Sequence, residues 1–403
     1  MSAKTDIAPP PHRGCVHSFN RLRGETAVNK VLVVDDSALM RRLLSSVLDD
    51  AGFEVAIARN GSEGIRQLTA WEPDVLTLDI NMPEMDGLTA LSLMMQARPT
   101  PVVMVSSLTH SGAQATFEAL ALGAVDFIAK PGGTISLSVD DIRDELLAKV
   151  RAAMGARLHG AAERMRSSPR PRPTRAAAPA VRARDTRVPR AARPMRSFMA
   201  PDAAVTPTGQ ARCPGVVLVG VSTGGPRTLE EILPLLPADF PWPVVVAQHM
   251  PAQFTQAFAQ RMDQLCALRV REVNATVPLE PGHIYIGQGG SDVALVERLG
   301  RLAAQPRPEH PDHPWHPSVD VLVQSAMALL PPRQIVGVQL TGMGYDGAAA
   351  MTQLHLAGGR TIAEAESTAV VFGMPRELIE RQGASTVLPC QDVASQLCRW
   401  LQS

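Results

Sequence analysis

Four charged side chains in the first third of this 403-residue sequence stand at the ends of short apolar runs. Asp35 and Asp36 close "KVLVVDD", Asp79 closes "DVLTLD", and Lys130 closes "VDFIAK" just before Pro131. Adjacent carboxylates at the mouth of a parallel sheet repel each other, and a bound divalent cation relieves that repulsion. Hard oxygen donors arriving one or two per strand favour Mg²⁺ with retained waters. A third carboxylate beside such a metal can attack a phosphoryl group, and a lysine can pair with the charge of the product. Any one of these acids alone would read as a helix cap; the four together read as a site.

A second set lies past the middle. "VGVSTGGP", residues Val219 to Pro226, places Ser222 in a Gly-x-Ser-x-Gly spacing with Gly220 and Gly224. A Walker loop would need a lysine after its last glycine, and a dinucleotide loop would need G-x-G-x-x-G; neither is present. A nucleophile turn needs a serine between a strand and a helix, with glycines that permit crowding. "GVVLVG" supplies the strand, Pro226 suits the start of a helix, and "RTLEEILPLL" continues it. The helix N-terminus then offers free N–H groups where an oxyanion would form. A base and an orienting acid are available at other strand ends: His249 closes "PVVVAQH", and Asp346 lies in the glycine-rich loop after "IVGVQLTG". Together they give a Ser-His-Asp set in that chain order, unlike the Ser-Asp-His order of ordinary α/β-hydrolases. Among the other histidines, His283 reads as a strand-start residue and His355 as helix packing. His310, His313 and His316 alternate with prolines in a loop; the spacing could suggest a metal, but no cysteine or carboxylate stands with them in a matching motif, which weighs against one.

The elements that must position these residues follow from periodicity. Five Val/Ile/Leu-rich runs from Lys30 to Lys130, each followed by a helix-length segment, predict a doubly wound parallel sheet with its chemistry at the strands' C-terminal ends. After Cys213 a second α/β block runs to the C-terminus, with "GVVLVG", "PVVVAQH", "HIYIG" and "IVGVQLTG" as strands of a mainly parallel sheet. Between the blocks, residues 151–212 are dominated by Arg, Pro and Ala and predict a disordered linker, while residues 1–28 predict a disordered extension. The linker lacks aromatics for stacking on bases and reads as a solvated spacer. A net charge of zero gives no global pull toward nucleic acid or membrane. Five scattered cysteines without C-x-x-C spacing exclude a disulfide framework and fit a reducing cytoplasm. No apolar run approaches the roughly 18 residues of a membrane span.

Residues 29–150 resemble a two-component response-regulator receiver domain, with "VDDS", "LDINMPEMDG", "VSS" and "AKP" in order. The resemblance implies a flavodoxin-like sheet, phosphorylation at Asp79, and Mg²⁺ held by Asp35, Asp36, Asp79 and the Asn81 carbonyl, with Ser106 and Lys130 binding the phosphoryl oxygens. Residues 213–403 resemble the catalytic domain of the CheB family of protein-glutamate methylesterases, through "GVSTGGP", "QHMP", "FTQAFAQRM", "PGHIYI", "PSVDVL", "LTGMGYDGA" and "VFGMPRE". That resemblance implies Ser222 as nucleophile, His249 as base, Asp346 as its orienter and the Met343 N–H as an oxyanion donor, with no cofactor in this domain. It also implies a cytoplasmic enzyme acting on the cytoplasmic helices of methyl-accepting chemoreceptors, a CheA-type histidine kinase as phosphodonor, and deamidation of receptor glutamines as a second activity. Tyr345, Asp292 and Pro226 depart from the family pattern, as do the long linker and the N-terminal extension; none touches the triad. A DNA-binding response regulator is the alternative of a different class, and the second block shows no helix-turn-helix. A catalytically inactive scaffold is the other, and the complete triad speaks against it.

Overall fold

In the computed structural model, the residues described are 28–107, 109–130, 139–157 and 213–401. The N-terminal extension up to residue 27 and linker residues 158–212 lie outside them.

The first sheet is built from β1 (Lys30–Val34), β2 (Glu54–Ala58), β3 (Val75–Asp79), β4 (Val102–Ser106) and β5 (Asp126–Ala129). Its order is β2-β1-β3-β4-β5 and every pairing is parallel. Strands β3, β4 and β5 are buried along their whole length because helices cover both faces of the sheet. Those helices are α1 (Ala38–Asp50), α2 (Gly61–Trp71), α3 (Gly87–Ala97), α4 (His110–Leu122) and α5 (Val139–Met154). Asn60 and Asp86 cap the N-termini of α2 and α3 by accepting from Glu63 and Thr89 N–H groups. Helix α5 runs a few residues into the segment assigned to the linker, where Ala153 is fully buried. The strand order reverses between β1 and β3, which is where an open parallel sheet leaves a crevice for a ligand.

The second block has a seven-stranded, wholly parallel sheet of order β15-β14-β13-β6-β7-β10-β8. Its strands are β6 (Val216–Val221), β7 (Val244–Gln248), β8 (Arg269–Val273), β10 (His283–Gly287), β13 (Ile335–Gln339), β14 (Arg360–Glu364) and β15 (Thr386–Leu388). The main helices are α6 (Gly225–Ile232), α7 (Ala252–Leu265), α8 (Val319–Met327), α9 (Ala348–Leu356), α10 (Met374–Glu380) and α11 (Cys390–Leu401). A separate antiparallel sheet, β11-β12-β9, joins a hairpin of β11 (Asp292–Arg298) and β12 (Arg301–Arg307) to the two-residue β9 (Val277–Pro278). Strand β6 begins the block in sequence yet lies at the centre of the large sheet, with β7 on one side and β13 on the other. The crevice of this sheet therefore opens above the C-terminal end of β6.

The two blocks share one apolar core. Phe117 of α4 packs on Phe258 of α7 at 5.4 Å between ring centroids, and Phe127 of β5 packs on Phe254 at 4.4 Å. All four rings are buried, and taking a phenylalanine side chain fully out of water is worth about 1.5–3 kcal/mol, part of it here gained against the other block.

Candidate active site

Strand β6 is apolar and fully buried until the chain leaves the sheet at Ser222. The Ser222 N–H donates to the Thr341 carbonyl at 2.9 Å, and the Ser222 carbonyl accepts from Gly225 N–H at 2.8 Å, which closes the turn. Gly224 takes φ +79°, a left-handed conformation, and a Cβ there would lie 2.6 Å from the Val370 side chain. The turn leads directly into α6, whose N-cap glycine supplies no side-chain acceptor to the first-turn N–H groups. This is the strand–turn–helix context that the Gly-x-Ser-x-Gly spacing predicts.

His249 follows β7, and its N–H donates to the Val221 carbonyl at 3.1 Å, so it stands beside Ser222 across the sheet. Its Nε2 lies 2.8 Å from Asp346 Oδ2. A carboxylate only accepts, so Nε2 carries the proton and Nδ1 carries the lone pair. Nδ1 is buried and has no hydrogen-bond partner among the described residues. Asp346, after β13, also accepts from the Ser318 hydroxyl (3.0 Å) and from the Val319 and Asp320 N–H groups (2.7 and 3.1 Å) at the start of α8. Burial pushes its carboxyl up, but the hydrogen bond and charge of His249 and these helix amides outweigh that and hold it below the ordinary carboxylate range. A positively polarised helix end thus keeps ionised the acid that orients the imidazole. Met343 follows Gly342, where a Cβ would lie 2.7 Å from Ser222 Cβ. The Gly342 N–H and carbonyl are both engaged, with Val371 and with Gly373 and Met374, whereas no acceptor among the described residues faces the Met343 N–H.

Some residues that build this site were not singled out from the sequence. The Gln248 amide donates to the Ser222 and His249 carbonyls, both at 3.0 Å, and ties the two turns together. The Gln339 amide donates to the Asp346 carbonyl at 2.8 Å. Both glutamines end otherwise apolar strands, and that was the signal available. Trp315 stacks parallel to His249 (4° between planes, 5.9 Å between centroids) and meets the ring of Tyr345 edge-on at 5.0 Å. Asp292 is 1% exposed and anchors this loop by accepting from His310 N–H, Ser318 N–H and the His316 ring. Trp315→Ala should therefore lower kcat by roughly 3- to 10-fold, the worth of one ring pair, with KM little changed. Trp315→Phe should keep most of the activity; an unchanged kcat in the alanine variant would show that stacking does not position His249.

The histidines outside the triad make local contacts. His283 begins β10 with Nδ1 at 3.0 Å from the Pro281 carbonyl, and His355 in the last turn of α9 meets the Ser385 hydroxyl at 3.0 Å. His313 gathers with Asp320 and Asp346, but the oxygens of Asp346 are already filled by the donors above.

In the first block, one ligand atom each from Asp35, Asp36 and Asp79 lie within 4.8 Å of one another. Lys130 Nζ reaches Asp79 Oδ2 at 2.7 Å and Asp35 Oδ2 at 3.1 Å. Burial raises the Asp79 carboxyl and the Asp35 charge adds to that, against the pull of Lys130. Burial opposes the charge on Lys130, yet the two aspartates still carry it above its ordinary value. Asn81 N–H donates to Asp79 Oδ1 at 3.2 Å. The Ser106 hydroxyl is turned toward α4, accepting from Thr116 at 2.8 Å and donating to the Gly112 carbonyl at 3.3 Å. Three hard carboxylates with one exposed member, Asp36, suit a small divalent cation that keeps some of its waters.

Fold and site together define a two-domain regulator: a receiver-type switch docked on an α/β domain with a hydrolase-like serine turn. Residues 31–139 match the response regulator receiver domain and residues 217–397 match the CheB methylesterase domain. The chain is 53% identical over 378 residues (93% of its length, 96% of the relative's) to protein-glutamate methylesterase/protein-glutamine glutaminase 3 of Rhodospirillum rubrum. It is 49% identical over 375 residues to protein-glutamate methylesterase/protein-glutamine glutaminase 2 of Rhodopseudomonas palustris, covering 92% of this chain and 98% of that one. The chain belongs to the CheB methylesterase family.

Proposed function

We propose that this protein hydrolyses glutamate methyl esters on chemoreceptors under control of phosphorylation at Asp79, and that it deamidates receptor glutamines at the same site. The observation that carries the reading is the placement of Ser222, His249 and Asp346 beyond the C-terminal ends of three adjacent strands, β6, β7 and β13. His249 Nδ1 takes the proton from Ser222 Oγ as the oxygen bonds to the ester carbonyl carbon. The Met343 N–H donates to the resulting oxyanion, and Asp346 stabilises the imidazolium through Nε2–H. Methanol then departs with the proton that Nδ1 returns, leaving a glutamyl ester on Ser222. Water, deprotonated by the same nitrogen, cleaves that ester and frees the carboxylate. A glutamine passes through the same intermediate with ammonia as leaving group, the second activity named in the relatives.

In the receiver, Asp35, Asp36, Asp79 and the Asn81 carbonyl would hold Mg²⁺, which when bound neutralises the charge gathered as a phosphoryl group reaches Asp79. Lys130 and Ser106 are the partners for the phosphoryl oxygens, and Ser106 must leave Thr116 and Gly112 to serve. A CheA-type histidine kinase is the phosphodonor. No helix among the described residues is long and apolar enough to cross a membrane, and the reading places the enzyme in the cytoplasm beside the receptor's helices. Methanol release from purified methylated receptor tests the reading. Release that depends on this protein supports it, and none from any methylated receptor, with phosphodonor and Mg²⁺ present, contradicts it.

A further inference from the structure

Glu364 ends β14 with its side chain fully buried, and the reaction above does not use it. Its Oε2 accepts from Thr341 N–H at 2.8 Å and its Oε1 from the Thr368 hydroxyl at 3.0 Å. Thr341 is the residue that clamps the nucleophile turn. Its carbonyl accepts from Ser222 N–H, and its hydroxyl donates to the Thr223 carbonyl at 2.9 Å and accepts from Val371 N–H at 2.9 Å. Across β14, β13 and β6 a line of hydrogen bonds thus runs Glu364–Thr341–Ser222, and Met343 lies two residues beyond Thr341. The ionisable groups packed about Glu364 are Glu231 from α6, which also pairs with Arg227, and the Cys390 thiol from α11. Cys390 Sγ donates to Glu231 Oε2 at 3.4 Å, and burial pushes that thiol up to about 12, so it stays neutral.

We propose that Glu364 is a positioning residue for the nucleophile turn and that it acts as the neutral acid, so that losing its proton lowers turnover without any change in the triad. The neutral form suits the pocket. Its carbonyl oxygen accepts from Thr341 N–H while its hydroxyl bonds Thr368 Oγ1, which already accepts from Cys390 N–H at 3.0 Å and can turn its own proton to the Ala365 carbonyl, 3.4 Å away. A carboxylate there puts a fully buried negative charge close to the half-buried carboxylate of Glu231. It also opposes the oxyanion that forms at Met343 in the same low-dielectric wall. Burial, with the Glu231 charge adding to it, pushes the Glu364 carboxyl up to about 7 against the Thr341 and Thr368 donors, which brings the change into the working range. Because this pKa is raised on folding, its stabilising contribution is full at low pH and is lost as pH rises through about 7.

The inference rests on the esterase reading, and the test separates the two. In the full-length chain, kcat for methanol release and the thermal midpoint are measured from about pH 5.5 to about pH 8.5 for the wild type and Glu364→Gln. Glutamine keeps both contacts, with its carbonyl facing Thr341 and its amide facing Thr368. Wild-type kcat should fall by roughly 3- to 10-fold on the alkaline side, in keeping with one buried charge near the oxyanion. Glu364→Gln should match the wild type within about twofold at pH 6 and show no such fall, and its advantage in Tm should widen from pH 5.5 to pH 8. A flat wild-type profile, an alkaline fall that survives in Glu364→Gln, an equal loss at every pH, or a Tm difference independent of pH would each overturn the proposal. If the wild type releases no methanol at any pH, the esterase reading fails instead, and the Tm comparison still decides whether Glu364 titrates.

Discussion

Ser222→Ala should lose a factor of about 10³ or more in methanol release, the cost of removing a covalent catalyst from its triad. His249→Ala should lose a similar amount. The informative measurement is the double variant, because nucleophile and base act as a unit and the second substitution should cost little more. What remains should come from the Met343 N–H and from substrate binding, neither of which requires the triad. Losses that multiply in the double variant would mean the two residues act independently, and the assignment of Nδ1 as the base for Ser222 would fall with them.

The second large effect concerns control. Strand β5 is four residues long, and its two ends serve the two domains. Lys130, just past one end, holds Asp79 and Asp35. Asp126, at the other, accepts from the Thr223 hydroxyl at 2.7 Å, and Thr223 is the residue after Ser222. Lys149 pairs with Asp126 at 3.4 Å, and the charges of Asp126 and Glu145 raise its pKa against the cost of its burial. At the edge of the same interface Arg157 pairs with Glu366 and donates its N–H to the Val370 carbonyl. The Arg157 contacts border a cleft of about 500 Å³ that Met343, Tyr345 and Arg151 also line. On the proposed scheme, a phosphoryl group on Asp79 would re-aim Lys130 and so disturb β5. A few kcal/mol in favour of the undocked state then moves most of the population. Asp79→Asn should stay at the basal rate whatever phosphodonor is added. Asp126→Ala should raise the basal rate without any phosphodonor, by roughly 10-fold or more, since a hydrogen bond to a charged group is worth about 1.5–3 kcal/mol. A basal rate that falls in Asp126→Ala would mean that the receiver helps build the site and does not cover it.

Much of this could be read before the structure because the chemistry stands at strand ends. Asp35, Asp79, Ser222 and His249 each close or follow a run of buried aliphatic residues, and that boundary is visible in a sequence. The glycines around Ser222 and Asp346 gave the turns. Less legible were residues whose partners lie across the sheet. Thr341 matters through Ser222, 119 positions away in the chain (341 against 222), and through Glu364; only the order β14-β13-β6 brings them together. Gln248, which bonds the Ser222 carbonyl from the neighbouring strand, is hidden for the same reason. Which imidazole nitrogen faces Asp346 depends on how the chain leaves β7 and could not be read from residue type. The β11–β12 hairpin is hard to read from sequence because "DVALVERLGRLAAQPR" loses its apolar alternation toward the turn, where Leu299 and Gly300 both take positive φ. Strand β8, "RVREV", alternates as an edge strand does but is short and heavily charged.

In the proposed reaction everything passes through a glutamyl ester on Ser222. A single turnover of methylated receptor fragment, quenched in acid, digested and examined by mass spectrometry, tests it most directly. The peptide spanning Ser222 should gain the mass of the methylated receptor peptide less methanol, in step with the first methanol released, and Ser222→Ala should show neither. Methanol release at the normal rate with Ser222 unmodified, or with the adduct on another residue, would contradict it.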